Sequence, residues 1–220
     1  SDSASLAVTV FGLPVAQIDS TGPLAFCQGD SVVLRSANSG NYQWFRNGAA
    51  VSTDSFVVAS QSGTYSLVLT NANGCSDSAS VSVTVFNLPV AQIDSTGPLA
   101  FCQGDSVVLR SVNPGSYQWF RNGMALSTDS FVVATQSGTY SLVLTNANGC
   151  SDSASLAVTV FSLPVAQIDS TGPLSFCSGD SVILRSANSG NYQWYRNGAA
   201  LSTDSFVVAT QGGTYSLVLT

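Results

Sequence analysis

The sequence predicts an all-β fold made of one small unit copied in series, and three observations carry that expectation. The chain of 220 residues repeats with a period of 75, so that Leu13-Pro14-Val15-Ala16-Gln17-Ile18-Asp19 returns at Leu88–Asp94 and at Leu163–Asp169. Apolar and polar residues alternate in Tyr65-Ser66-Leu67-Val68-Leu69 and Val81-Ser82-Val83-Thr84-Val85, the pattern of strands with one face in a core. Turn chemistry separates such runs at Asn47-Gly48 and Asn71-Ala72-Asn73-Gly74. Residues 13–87 and 88–162 differ at only nine positions, so the copies are near-identical. An enzyme needs one site; near-identical copies supply length, multivalency or both.

The period divides the chain into a first copy at 13–87, a second at 88–162 and a third at 163–220. Residues 1–12 read as the final strand of a preceding copy, because Ser1–Phe11 is identical to Ser151–Phe161. The third copy closes on Gly213–Thr220, which matches Gly138–Thr145, and lacks the turn and last strand that follow in the other two. Two readings account for this phase. The chain is a stretch of a much longer array, or chains assemble head to tail with the opening strand of one completing the last copy of the next. A stacked array keeps its ends apart, which disfavours closure within one chain.

Within the first copy the expected strands run in order near 14–19, 30–36, 41–46, a short piece near 49–52, 55–60, 63–70 and 76–86, about seven in all, the number in an immunoglobulin-like sandwich. Gly29-Asp30-Ser31-Val32-Val33-Leu34 resembles the B strand of such domains. Tyr42-Gln43-Trp44-Phe45-Arg46-Asn47-Gly48 resembles strand C with its buried Trp. Gly63-Thr64-Tyr65-Ser66-Leu67 resembles the tyrosine corner that opens strand F, and Asn71–Gly74 the F–G turn. The two central cysteines of antibody domains are replaced by Ser36 and Leu67, so the core has to be pinned by apolar groups: Leu34, Trp44, Tyr65 and Leu67, with Trp119, Tyr140, Trp194 and Tyr215 in the other copies. Alternation points the tryptophans inward, away from any role as sugar-stacking platforms. Arg35 and Arg46 fall on positions expected to face solvent, as partners for Asp.

The five cysteines recur as two types, one like Cys27 and one like Cys75. Two per small unit without a cytosolic motif favour an oxidising compartment and disulfides. Pairing Cys27 with Cys75 inside one copy conflicts with the sandwich, which sets them at opposite ends, roughly 20 Å apart along a strand. A disulfide needs Cα atoms within about 7 Å. In a tandem array one end of a copy abuts the opposite end of the next, which predicts a Cys27–Cys150 staple between copies. By the same rule Cys75, Cys102 and Cys177 pair with copies outside this chain. Five scattered cysteines make no metal site, and single Asp residues such as Asp19, Asp30 and Asp77 lack the density of a calcium loop.

Composition narrows the function further. All 12 acids are Asp and all six bases are Arg, with no Glu, Lys or His, for a net charge of −6. An acidic chain without a basic cluster excludes nucleic acid and anionic membrane surfaces as expected partners. No apolar stretch reaches the roughly 18 residues of a membrane span. The absence of His removes the Ser/His/Asp triad and the commonest metal ligand. No catalytic residue and no cofactor is expected.

Phe26-Cys27-x-Gly29-Asp30-Ser31-Val32 and Tyr42–Gly48, together with Gly63-Thr64-Tyr65 and Asn71–Ser76, resemble the Ig-like repeats of Bacteroidota surface proteins, as found in giant gliding-type adhesins and other type IX secretion cargo. The resemblance covers the whole chain. It implies an exported protein at the bacterial cell surface or in a secreted filament. It further implies O-glycosylation at Asp followed by Ser or Thr and then a small or aliphatic residue or Thr. That pattern is met at Ser3, Ser20, Ser31, Ser78, Ser95, Ser106, Ser153, Ser170 and Ser181, Ser31 being the one a strand would hide. The function expected is a rigid spacer, the stalk or filament part of an adhesin, with its own neighbouring repeats and covalent glycans as partners. The alternatives are a multivalent polysaccharide-binding array and a fibre subunit that polymerises by donor strands.

Overall fold

A computed structural model describes residues 2–220; Ser1, the first residue of the expected opening strand, lies outside the described residues. The first copy contains eight strands: β1 (Ile18–Ser20), β2 (Ala25–Cys27), β3 (Val32–Ser36), β4 (Asn41–Arg46), β5 (Ala49–Ser52), β6 (Phe56–Ala59), β7 (Gly63–Thr70) and β8 (Ser76–Phe86). They form a three-stranded sheet, β1-β3-β6, and a five-stranded sheet, β2-β8-β7-β4-β5. The chain changes sheets early. β1 runs antiparallel to β3, and after Ser20-Thr21-Gly22-Pro23 breaks the strand, β2 runs parallel to the end of β8. That strand order defines an immunoglobulin-like β-sandwich.

The strand expected near 30–36 begins only at Val32 and that near 55–60 spans Phe56–Ala59, and the start of the copy differs more. Residues 14–17 are not in a strand, because Pro14 offers no N–H and side chains rather than a ladder satisfy this segment. Strand β2 was not legible, since its partner lies some 60 residues away and no hairpin turn announces it. Residues 2–12, expected as a final strand, form no strand among the described residues.

The registers explain the core. Across β4 and β7, Trp44 stands opposite Leu67 and Tyr42 opposite Leu69; across β3 and β6, Leu34 stands opposite Val57 and Val32 opposite Ala59. With a period of two, these residues turn inward from both sheets and meet. Leu34, Trp44 and Leu67 are fully buried, and Val32, Val57, Ala59, Tyr65 and Val83 join them. Each large apolar side chain removed from water adds roughly 1.5–3 kcal/mol. The one polar atom of Trp44 is satisfied, its Nε1–H donating to the Asp54 carbonyl at 3.0 Å. Tyr65 donates its hydroxyl to the Gln61 carbonyl at 3.1 Å, the tyrosine-corner bond. At Asn47-Gly48 both residues take positive φ, 49° and 83°, as the tight hairpin turn demands. The Asn47 side chain also accepts from the Thr64 N–H at 2.9 Å, tying the β4–β5 turn to β7.

The second copy repeats these elements as β9 (Ile93–Ser95), β10 (Ala100–Cys102), β11 (Val107–Ser111), β12 (Ser116–Arg121), β13 (Met124–Ser127), β14 (Phe131–Ala134), β15 (Gly138–Thr145) and β16 (Ser151–Phe161). Trp119 is fully buried and Tyr140 nearly so. The third copy has β17 (Ile168–Ser170), β18 (Val182–Ser186), β19 (Tyr192–Arg196), β20 (Ala199–Ser202), β21 (Phe206–Ala209) and β22 (Tyr215–Leu219), in sheets β17-β18-β21 and β20-β19-β22. Trp194 is again fully buried, while Tyr215 is only half-buried.

By compactness the chain divides into two units. One holds the residues up to Asp94 with Leu109–Val132 and Thr139–Leu156; the other holds Ser95–Val108, Val133–Gly138 and Ala157–Thr220. Among the described residues no helix is long and apolar enough to cross a membrane.

Candidate functional site: a disulfide joint between copies

The segment that leads from β8 into the second copy is residues 87–92, and it has no strand partner. Its backbone groups are instead met by three side chains of the second copy. Asn146 Nδ2 donates to the Asn87 carbonyl at 2.9 Å, Asn113 Nδ2 donates to the Val90 carbonyl at 2.9 Å, and Asp152 Oδ2 accepts from the Ala91 N–H at 2.8 Å. Asn146 also organises its own turn, its Oδ1 accepting from the N–H of Asn148 at 3.0 Å and of Cys150 at 3.1 Å. The first copy repeats the arrangement on residues 12–16. There Asn71 donates to the Gly12 carbonyl, Asn38 to the Val15 carbonyl, and Asp77 accepts from the Ala16 N–H. The bonds from the Ala16 and Ser78 N–H groups hold the Asp77 carboxyl below the usual carboxylate range; those from Ala91 and Ser153 do the same for Asp152.

This geometry delivers the cysteines to each other. The parallel ladder between β2 and β8 sets Cys27 beside Phe86, and the Gln28 N–H donates to the Phe86 carbonyl at 2.8 Å. The grip of Asn146 on Asn87 brings the Asn146–Cys150 turn to the same exit. There Cys27 and Cys150 form a disulfide with Cα atoms 5.6 Å apart, across a sequence separation of 123. Cys150 is 1% exposed. Cys75 is not bonded to Cys27; it is a free, half-buried thiol 4.0 Å from the Phe11 carbonyl. Cys102 and Cys177 are free and exposed.

The remaining expected residues fall as follows. Ser3, Ser20, Ser31, Ser78, Ser106, Ser153, Ser170 and Ser181 are exposed and Ser95 is half-buried. Ser31, expected to be hidden by a strand, instead precedes β3 in an open turn. Ser20, Ser95 and Ser170 donate to the carbonyls of Gly22, Gly97 and Gly172, a turn-capping role. Arg35 is exposed as expected of a solvent-facing residue, and its counterpart Arg110 pairs with Asp94 at 2.7 Å. Arg46 is half-buried, contrary to expectation, in a register that places it opposite Tyr65 within the five-stranded sheet. Among the described residues no group of three or more His, Cys, Asp or Glu could hold a metal ion.

One feature escaped the sequence reading: an exposed aromatic in every copy. Phe56, Phe131 and Phe206 are 47%, 50% and 48% exposed. Each lies on the outer face of a three-stranded sheet, Phe56 opposite Arg35 and Phe206 opposite Arg185. The signal was the run Ser55-Phe56-Val57-Val58-Ala59, in which alternation sends Val57 and Ala59 inward and Phe56 and Val58 outward.

No protein-family model matches the chain, and no curated protein sequence matches it. Among solved structures the I-band fragment I67–I69 of titin is similar over 96% of this chain and 89% of its own, at 12% identity and a TM-score of 0.44. The insect immune protein hemolin is similar over 68% of this chain at 18% identity and a TM-score of 0.39, and the chain spans about half of hemolin's length, 47%. Murine CEACAM1b is similar over 67% of this chain at 16% identity and a TM-score of 0.33. The fold assignment rests on the strand order and core described above.

Proposed function

We propose that this chain is a spacer segment of an extracellular bacterial surface protein, a stalk built from near-identical immunoglobulin-like copies at 13–87, 88–162 and 163–220. The observation that carries this reading is the Cys27–Cys150 disulfide, which joins the end of one copy to the next across 123 residues of sequence. Side chains of the following copy grip the joint as well. A chain whose copies are tied in this way resists bending and extension at the joints, the property a spacer needs. A disulfide supports an oxidising compartment. The resemblance to Bacteroidota surface repeats supports export by the type IX route and O-glycans on the exposed Asp-Ser sites. Near-identity of copies lets the length change by recombination without redesigning a joint.

The test is peptide mapping without reduction on protein from the native source, combined with intact mass. A Cys27–Cys150 peptide, with Cys75, Cys102 and Cys177 each linked to a cysteine of another copy, is the expected result. A Cys27–Cys75 peptide overturns the reading, because it makes each copy an independent bead.

A second reading is favoured by one observation, an exposed Phe in each copy that stands opposite an Arg in the first and third. Such pairs offer a ring face and a guanidinium to a polysaccharide, weakly per copy and with a gain from repetition. Binding on a glycan array that is lost on changing Phe56, Phe131 and Phe206 together to Ser supports it; no binding removes it.

A further inference from the structure

Each copy leaves the same strand edge open. In the sheet β1-β3-β6 the strand β6 is the last, and β14 and β21 hold that place in the other copies. The second copy, with further copies before and after it in the sequence, is as open there as the first. Phe131 and Val133 are both 50% exposed, beside 47% and 52% for Phe56 and Val58. An edge strand presents unpaired N–H and C=O groups to any chain that can add to it, and proteins commonly blunt such edges with Lys, Pro, a bulge or an inward charge. Those devices are missing along this edge. Ser55–Gln61, Ser130–Gln136 and Ser205–Gln211 contain no charged residue and no proline. The ladders of β3 with β6 and of β18 with β21 run without a register shift.

The direction of each backbone group follows from the ladder. The Ser36 N–H donates to the Ser55 carbonyl at 2.9 Å, so Ser55 turns its backbone groups toward β3. In an antiparallel pair the bonded residues alternate. Val57, opposite Leu34, therefore also faces β3, whereas the N–H and C=O groups of Phe56 and Val58 face the open edge. In keeping with this, the Phe56 carbonyl accepts at 3.4 Å from the Ser52 hydroxyl of β5 rather than from β3. Side chains alternate as well, with Val57 and Ala59 in the core and Phe56 and Val58 outside it. The residues that offer hydrogen bonds at the edge are thus the ones that carry exposed apolar side chains.

We infer that this edge is a self-pairing surface, at which the strand Phe56–Ala59 adds antiparallel to the same strand of a second chain of this protein. The pair is two-fold symmetric about Val57. Residues opposite each other share a face of the sheet, and one register satisfies both faces and backbone. Phe56 of each chain stands opposite Val58 of the other, and the two Val57 residues stand opposite each other. Each Phe–Val pair then exchanges both of its N–H···O bonds, and an aromatic ring meets a β-branched side chain, a favourable cross-strand pair. A shift that keeps the faces would set Val58 opposite Asp54 or Phe56 opposite Ser60. On the neighbouring strand Val33 lies beside Val58 and Arg35 beside Phe56. The joined sheet therefore carries one apolar seam of Val33, Phe56 and Val58 from both chains, with an arginine at each end. A second chain is the occupant because this uncharged strand meets itself without repulsion, in a molecule whose net charge of −6 opposes contact elsewhere. Lateral pairing would bundle stalks side by side, and it covers the ring that polysaccharide binding needs free.

The full 220-residue chain tests this, with the Cys27–Cys150 bond intact and the free thiols capped by iodoacetamide. In sedimentation equilibrium its mass should rise with concentration above the 22.6 kDa of one chain. In the associated sample the amides of Phe56, Val58, Phe131 and Val133 should exchange with deuterium about tenfold more slowly, while those of Val57 and Val132, which face the neighbouring strand, stay unchanged. Val58→Lys, Val133→Lys and Val208→Lys together alter residues half exposed in the single chain, so the melting curve should hold while association is lost. Thr at the same three positions, uncharged and β-branched, should preserve association. A wild-type chain that stays monomeric at every concentration overturns the inference. So do association that survives the three lysines, and association that leaves the Phe56 and Val58 amides unprotected. Should the lysine variant fail to fold, the exchange pattern of the wild-type chain decides by itself. The spacer reading stands or falls separately, on the Cys27–Cys150 linkage, and the polysaccharide reading on the glycan array.

Discussion

Pulling the chain from its two ends reads the disulfide joint directly. The load enters before Cys27 and, with the bond intact, crosses to Cys150 through the sulfur atoms. The 123-residue separation between them cannot extend, whatever unfolds inside it. At roughly 3.5 Å per residue, a fully unfolded and reduced chain reaches about 770 Å. The closed loop withholds about 430 Å of that and leaves about 340 Å. Single-molecule force spectroscopy with and without reductant, and on Cys150→Ser, measures the difference. The oxidised chain should reach its shorter limit, and reduction or Cys150→Ser should release the remaining length. A bond between Cys27 and Cys75 would withhold only about 170 Å by the same arithmetic. An oxidised chain with that shortfall, or with none, refutes the argument that strand β2 and the Asn146 turn bring Cys27 and Cys150 together.

Three further outcomes are expected. Trp44→Ala empties a fully buried site and removes the donor to the Asp54 carbonyl, so it should cost about 3–5 kcal/mol in denaturant unfolding of the first copy. An unchanged midpoint would place Trp44 outside the core. Asp77 and Asp152 have folded pKa values below the ordinary 3.8, so the bonds they accept contribute fully above that pH and are lost as pH falls through the lower folded values. The amides of Ala16 and Ala91 should therefore titrate by NMR with midpoints below 3.8, and in Asp152→Ala the Ala91 amide should exchange faster with deuterium. Asn47→Ala puts a residue poorly suited to φ 49° into the turn and removes the acceptor of the Thr64 N–H, for an expected loss of about 1–2 kcal/mol by thermal melting.

The period of 75, the strand alternation and the turn residues are local patterns, and they determined the all-β class, the repeat and the inward face of β4 and β7 from sequence alone. Trp44, Leu34 and Leu67 could be named as core because a period of two leaves one choice of face once a neighbouring residue is assigned. The Cys27–Cys150 pairing was reachable because an approximate sandwich already separates Cys27 from Cys75 by more than a disulfide can span. What the tertiary structure alone decided are the contacts whose partners lie far apart in sequence and carry no local signature. Strand β2 owes its place to a parallel partner, β8, that lies some 60 residues further on. The grip of Asn146, Asn113 and Asp152 on residues 87–91 reads in sequence as ordinary turn chemistry. The exposure of Phe56 is likewise settled by which face of β6 the core claims, a choice made by Leu34 and Val57 across the sheet rather than by Phe56 itself.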